Sequence, residues 1–482
     1  MNDRLQGRGS FPVLEGWGKS TKERQKMEYV NPLGEEKVSV LVRKFSVPAI
    51  IGMLVNALYN IIDRIFIGNS ADLGENGLAG ITVAFPLMIC TIAIGVLFGI
   101  GGATYFSMKL GNKKQEEAEH ALGNAFVMLL IAGTLYCILG EIFLDPLLVL
   151  FGASQEVLPF AKEFMQIIFV GSIFQVCGMG LNNFMRADGN PKLAMITMFF
   201  GAGLNILLDP IFIFGLHMGM RGAGLATSIS QFLSFLWVLS YFLGKKSHCK
   251  LRCRYLKLDR AVVGKIFMLG SPNFFLQLAA SLLNAILNRG LISYGGDLAV
   301  SSMGIVNSIQ TLLLMPVIGL NQGIQPIISF NFGAKKYERV KEAVLVGIKL
   351  ATAIVIAGYL VTRLFPVQLI QIFNRDPELV KLGKFCLEAW FFCMPVVGFQ
   401  IIASNYFQAI GQAKSAMFLT LTRQVIILIP AVILFPRIWG LHGILYAGPF
   451  ADFVSFLMTA IWFYFGLKRL KQSEEMTDPN IL

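Results

Sequence analysis

The sequence predicts an all-α membrane protein. Twelve transmembrane helices form two six-helix bundles, related by a pseudo-two-fold axis along the membrane normal. Three observations carry this reading. Of 482 residues, 55% are hydrophobic and only 15% charged, against roughly 25% charged in soluble domains. Apolar runs of about 20 residues, the length that crosses a bilayer, recur along the whole chain. The second half also repeats the first, at a nearly constant offset.

The predicted order starts with a polar cytoplasmic tail over residues 1–40. It has no apolar core of a secretory signal. Met27 reads as a natural start, so deletion up to it is expected to leave insertion and activity intact. The first lobe covers 41–243, with spans near 45–67, 78–102, 122–146, 161–184, 194–215 and 223–243. A basic cytoplasmic linker covers 244–262. The second lobe covers 263–467, with spans near 264–293, 300–326, 343–365, 383–407, 415–435 and 442–466. A cytoplasmic tail, 468–482, closes the chain. Turns rich in Gly, Pro and Asn separate the spans.

The net charge of +12 is distributed as membrane topology requires, not as a nucleic-acid surface. Loops after even-numbered spans hold Lys109, Lys113 and Lys114, then Arg186 and Lys192, then seven cations of the linker, then Lys335, Lys336, Arg339 and Lys341. Loops after odd-numbered spans are poorer in Lys and Arg, with His217, Arg221, Arg375 and Arg437 as exceptions. Positive charge inside then places both termini in the cytoplasm. A bacterial inner (plasma) membrane is the expected location, and a monomer the expected state.

The repeat is collinear. Gly111, Lys113, Lys114 and Glu116 recur as Gly333, Lys335, Lys336 and Glu338, an offset of 222. Gly189, Lys192, Ala194 and Met195 recur as Gly411, Lys414, Ala416 and Met417 at the same offset. Six spans per half is an even number, so both halves insert with the same orientation. Two facing lobes around a central cavity is the plan of a transporter working by alternating access. No phosphate-binding Gly-x-x-x-x-Gly-Lys-Ser/Thr motif occurs, so ATP coupling within the chain is not expected.

Carboxylates inside spans are costly and therefore candidates for function. Asp63 lies in the first span and Asp209 in the fifth, both beyond the midpoint toward the outer face. Asn60 precedes Asp63 by three residues and Asn205 precedes Asp209 by four. Each spacing places amide and carboxylate on one helix face. Thr227, early in the sixth span, falls at similar depth. Two carboxylates, two amides and a hydroxyl are hard ligands suited to Na⁺, in which case Asp63 and Asp209 are the metal ligands, or to storing H⁺. Two acids in low dielectric cannot both ionise cheaply, so they compete for one proton or cation. The repeat supplies a control: Asp63 aligns near Leu287 or Asn288, and Asp209 near Ala431. At these two positions the acid is kept in the first lobe only. The plainer alternatives are that Asp63 pairs with neighbouring Arg64 and that Asp209 caps a helix broken at Pro210.

Asp452, mid-span in the twelfth helix, is a candidate contact for a cationic substrate, with a plain structural role as the alternative. Glu388 and Arg423 read as snorkelling or interhelical partners. Gly95, Gly99 and Gly102 read as close helix packing rather than phosphate binding. The 40 Phe and 20 Met suit an adaptable cavity, but most must pack or face lipid. Seven Cys are scattered without a disulfide framework. His248, Cys249 and Cys253 read as loop residues rather than metal ligands. An enzyme is not expected, and no cofactor beyond the coupling ion.

In this order, Asn60 to Gly68, Leu78-Ala79-Gly80, Met185 to Lys192, Asn205 with Asp209 and Pro210, and the six-plus-six duplication resemble the multidrug and toxic compound extrusion (MATE) family, in its bacterial branch. The resemblance covers about residues 40–470. It implies a V-shaped pair of bundles that exports organic cations in exchange for H⁺ or Na⁺. It implies an ion site on Asp63, Asn205, Asp209 and Thr227, and adds a fourth-span amide, here Asn182. The alternatives are a flippase for lipids or oligosaccharide-lipids, which would need a strongly cationic cavity, and a non-transporting receptor or scaffold.

Overall fold

The computed structural model describes residues 31–68, 70 and 73–475, without the side chains of residues 60, 64, 74, 75 and 473. Met27 lies outside the described residues. Among those described, ten helices are long and apolar enough to cross a membrane, or eleven when one bent pair is counted as a single span. The twelfth comes from a 74-residue run, Arg260–Gly333. At 1.5 Å per residue it would be about 110 Å long, more than three times the hydrocarbon thickness. Gly296 breaks it, with φ 65° and ψ −166°, a backbone open to glycine alone.

The first lobe comprises α1 (Val38–Gly68), α2 (Gly74–Gly111), α3 (Gln115–Ile142), α4 (Leu158–Ala187), α5 (Pro191–Pro210) and α6 (Gly219–Leu243). The second comprises α7 (260–295), α8 (297–333) and α9 (Tyr337–Leu364), then α10, which is Pro377–Trp390 and Met394–Ala409 bent by 48°. It closes with α11 (Ala413–Leu434) and α12 (Pro436–Glu475). Most helices start before the apolar spans read from sequence, although α3 ends at Ile142, short of the span read to 146. Hydropathy marks only the hydrocarbon layer, while hydrogen-bonded turns continue beyond it.

Many large apolar side chains face outward, among them Leu58, Leu135, Leu207, Ile292 and Tyr464. In water such a surface would aggregate; in lipid it is the expected one.

The duplication is visible in the backbone. Lys113 and Lys335 have φ of 60° and 57°, Gly189 and Gly411 of 95° and 88°, Gly219 and Gly440 of 58° and 56°. Each pair occupies equivalent positions of the two halves. After α2 and α8 the turn closes identically, with Lys114 N donating to Lys109 O and Lys336 N to Asn331 O, both at 2.9 Å. This is the Schellman closure of a helix C-terminus.

The lobes meet at the end where α1 begins and α12 finishes, the terminus-bearing end. A Cβ on Gly270 (α7) would stand 1.7 Å from Leu97 O (α2), and one on Gly333 (α8) 2.1 Å from Met108 O (α2). Gly319 and Gly323 of α8 press against Ile50 and Ser46 of α1 in the same way. Gln325 Nε2 (α8) donates to Thr104 Oγ1 (α2) at 2.8 Å. Within the first lobe, Gly99 lies against Gly180 and Gly102 against Phe184, so these glycines do serve close packing.

The ends of the two lobes are also strapped across the interface. A helical turn, Pro32–Glu35, precedes α1. Its Leu33 carbonyl accepts from Asn331 Nδ2 at 3.0 Å, and Arg339 donates to the Glu36 carbonyl at 2.7 Å. Leu41, Val42 and Phe45 of α1 complete the apolar core of the second lobe. Conversely, the linker before α7 docks on the first lobe. Buried Asp188 accepts from Tyr241 Oη at 2.6 Å, Ser247 Oγ at 3.2 Å and the backbone N–H of His248 at 3.0 Å and Cys249 at 3.3 Å. Burial pushes the Asp188 carboxyl up from its ordinary range, and these donors pull it back. Asn124 of α3 donates to the carbonyls of Tyr255 and Lys257, both at 3.3 Å, and accepts from Asp259 N at 2.7 Å. The linker is therefore a fixed segment, not a tether.

Candidate functional site

α5 brings Asn205 and Asp209 to one face, four residues apart. Pro210, which has no N–H to donate, follows at once, and the helix loosens into a π-turn over Ile211–Gly215. Such widened turns concentrate at functional positions. Asn205 Nδ2 reaches Asp209 Oδ1 and, across to α6, Thr227 Oγ1, each at 3.4 Å. These are long bonds, so the amide is shared rather than committed. Asn205 is 2% exposed, Asp209 0% and Thr227 8%.

From α1, the Asp63 carboxyl lies within hydrogen-bond reach of Asp209 and interacts with its charge. Two carboxyls can share a hydrogen bond only if one of them holds a proton. Two buried oxygens, Asn205 Oδ1 and Asp209 Oδ2, accept no hydrogen bond from the described residues. They are acceptors aimed inward, where a proton or a small hard cation would satisfy them. Among the described residues no group of three His, Cys, Asp or Glu is placed to hold a metal. The donor set is thus two carboxylates completed by an amide and a hydroxyl. Such a set offers oxygen ligands to a proton or a small hard cation.

The remaining predicted residues fall as follows. The side chain of Asn60 lies outside the described residues, as does that of Arg64. Asn182 is not brought to the cluster. Its Nδ2 donates to Ala194 O at 2.9 Å and Thr197 Oγ1 at 2.7 Å, near the start of α5. Thr197 and Asn205 are separated by about 12 Å of helix. In the second lobe neither equivalent is an acid: Ala431 and Leu287 belong to the core, and Asn288, the other residue aligned near Asp63, is exposed.

Asp452 is engaged with a partner that spacing did not reveal. Arg423 Nε of α11 meets Asp452 Oδ1 of α12 at 2.5 Å, and Arg423 Nη1 donates to Gln424 Oε1 at 3.2 Å. Arg423 sits in a second π-segment, Thr422–Leu428. The Arg423 side chain is 23% exposed and that of Asp452 7%. Removing one partner leaves an unpaired charge in the membrane, at a cost of about 3–5 kcal/mol. Asp452→Leu is therefore expected to lower the thermal midpoint of the purified protein. The double variant Arg423→Met, Asp452→Leu should recover most of that loss. Equal midpoints for the single variant and wild type would show that the pair is not structural.

The MatE family model matches residues 48–211 and 272–433, one copy in each lobe. This chain belongs to the MATE family. The multidrug export protein MepA of Staphylococcus haemolyticus is 29% identical over 413 residues, covering 86% of this chain and 90% of that protein. Among solved structures, the MATE multidrug transporter DinF-BH, solved with a bound dye, is 38% identical with a TM-score of 0.84, covering 90% of this chain and 97% of that one. An outward-facing conformation of a multidrug resistance MATE family transporter is 25% identical with a TM-score of 0.85, covering 91% and 99%. This MATE-family chain is accordingly a transporter of twelve spans in two bundles, as its sequence predicts. The cluster on α1, α5 and α6 lies inside the first of the two matched regions, apart from Thr227.

Proposed function

We propose that this MATE-family transporter expels organic, mostly cationic, compounds in exchange for H⁺ or Na⁺, and that the Asp63/Asp209 cluster is where the ion binds. One observation carries the reading: two carboxyls share a site with Asn205 and Thr227 inside the membrane, in the first lobe only. An ionisable pair held at such cost is expected to work rather than to stabilise.

Charge bias in the loops supports placing the terminus-bearing end in the cytoplasm of a plasma-membrane protein. The lobes pack tightly at that end. The acid cluster lies toward the other, so an ion would reach it from outside. Similarity to an outward-facing relative agrees with this state. Binding of a proton or monovalent cation cancels one of the pair's two negative charges and relieves the repulsion between Asp63 and Asp209. Because Asp209 immediately precedes Pro210 and the π-turn, that change of charge alters the end of α5 where it packs on α1 and α6. The ion drives the cycle only through its different affinity for the two states of the lobes, and the drug acts through the opposite preference.

The deciding measurement is uptake of ethidium into proteoliposomes, with pH and Na⁺ gradients imposed separately. One of the two gradients alone should drive accumulation against the ethidium gradient. Transport indifferent to both would overturn antiport.

A further inference from the structure

The linker between the lobes contains more charge than its docking consumes. Over residues 244–260 it holds seven cations, Lys245, Lys246, Lys250, Arg252, Arg254, Lys257 and Arg260, against one acid, Asp259. Its backbone is held by Asp188, Asn124 and Glu119, whose Oε1 accepts from Lys250 N at 3.2 Å. Two of the cations are neutralised: Arg252 by Glu119 at 3.0 Å and Arg254 by Glu116 at 3.2 Å. Lys245, Lys246, Lys250, Lys257 and Arg260 are exposed. Among the described residues none of these five has an acid within 4 Å.

We infer that this linker is a binding platform for the phosphate headgroups of anionic phospholipids. Leu243 ends a membrane helix and Arg260 begins the next, so the segment runs along the membrane surface, at headgroup depth. Beside the lysines, Leu243 is 61% exposed and Leu258 43% exposed. Apolar side chains at that position meet acyl chains, whereas an acidic soluble partner or a nucleic acid would leave them in water. Juxtamembrane cations attract anionic lipid over a Debye length, and the contributions of several add. A loose polybasic loop must be ordered before it can grip a headgroup. This one is already ordered by buried acceptors, so its lysines are presented at fixed positions. The segment is clamped to the first lobe and continues directly into α7 of the second. A headgroup bound there sits at the joint between the lobes. The inference requires only that the chain crosses the membrane, and it stands whichever ion drives transport.

The test uses the full-length protein in three settings: phosphatidylcholine vesicles, the same vesicles with phosphatidylglycerol, and phosphatidylcholine vesicles with inorganic phosphate in the buffer. Lipids retained by the protein are read by native mass spectrometry, and stability by thermal unfolding. Wild type should retain phosphatidylglycerol over phosphatidylcholine and melt higher in its presence, with both effects reduced by salt. Replacing Lys245, Lys246, Lys250 and Lys257 together by Gln should lower that preference about tenfold or more. Replacing the same four by Arg should keep it. If melting in phosphatidylcholine alone is lower for the Gln variant, the fold is affected, and the preference is read instead from Lys250→Glu against Lys250→Arg. An unchanged preference in the Gln variant, or in Lys250→Glu, overturns the inference. So does stabilisation by inorganic phosphate alone, which would mark a site for the free ion.

Discussion

Asp209→Asn is expected to abolish gradient-driven drug export while leaving a folded, membrane-inserted protein. Asparagine matches aspartate in size, and its carbonyl can still accept from Asn205. Its amide can donate to Asp63, so the local hydrogen bonds survive the substitution. What is lost is the capacity to take up and release a proton, or to offer charge to a cation. The cluster then has the same state in both conformations, and an ion with no differential affinity drives nothing. Coupling between sites is worth about 5–150-fold, so export under an imposed gradient should fall within or beyond that range. Asp63→Asn should act alike, and the double variant should be no worse than either single one, because the two carboxyls act as one site. Ethidium export from vesicles checks this, with drug binding to the purified protein as the control for folding. Export at the wild-type rate in either single variant would remove the cluster from the mechanism.

Gly270→Leu should stop the lobes from closing at the terminus-bearing end. The ideal Cβ at position 270 stands 1.7 Å from Leu97 O and 2.6 Å from its carbonyl carbon. Backbone atoms cannot swing aside as a side-chain tip does. The helices α2 and α7 must therefore separate, and with them the lobes. Overpacking inside a rigid core usually costs about 1–3 kcal/mol. Here the strain falls between two lobes, so under the proposed alternating-access cycle it shifts a conformational equilibrium rather than unfolding a lobe. Spin labels on the loops after α2 and α8, at the end where the lobes meet, should report longer distances in the variant, and export should collapse. Gly333→Leu, which meets Met108 O, should reproduce the effect. Distances and export like those of wild type would mean that α2 and α7 are not the closure contact.

Why the fold was so legible follows from the solvent. In hydrocarbon every backbone polar group must be bonded within the chain, so an apolar run of the right length can only be a helix. Duplication then gave the pairing of halves, because equal offsets between Lys113 and Lys335, or Gly189 and Gly411, do not depend on contacts. The overlong helices were less legible, since polar residues at helix ends carry no hydropathy signal. The break at Gly296 was readable only as a gap between spans.

The site was legible in part. Asn205 and Asp209 share a face by spacing alone, a local property of α5. Placing Asp63 beside Asp209 took a depth argument, which two helices crossing at an angle could have defeated. Asn182 shows the limit. It is on the right helix and is buried, yet it bonds to Ala194 and Thr197 at another level of the lobe. Arg423 and Asp452 each stood out as ionisable residues in spans, but nothing in their spacing names them as partners. Asp188 stood out only as part of a motif, while its work as the acceptor that docks the linker appears only in the folded chain.

By itself the sequence determined that this chain crosses a membrane about twelve times, that its halves are copies, and that acid was kept in the first lobe at positions where the second has Leu287 or Asn288, and Ala431. These are properties of composition and local periodicity, which the bilayer converts directly into helices. The tertiary structure decided which distant side chains meet: Asp63 with Asp209, Arg423 with Asp452, Gly270 with the carbonyl of Leu97, and the linker with Asp188. Those contacts depend on how helices pack and cross, and one-dimensional spacing does not encode the rotation of one helix against another.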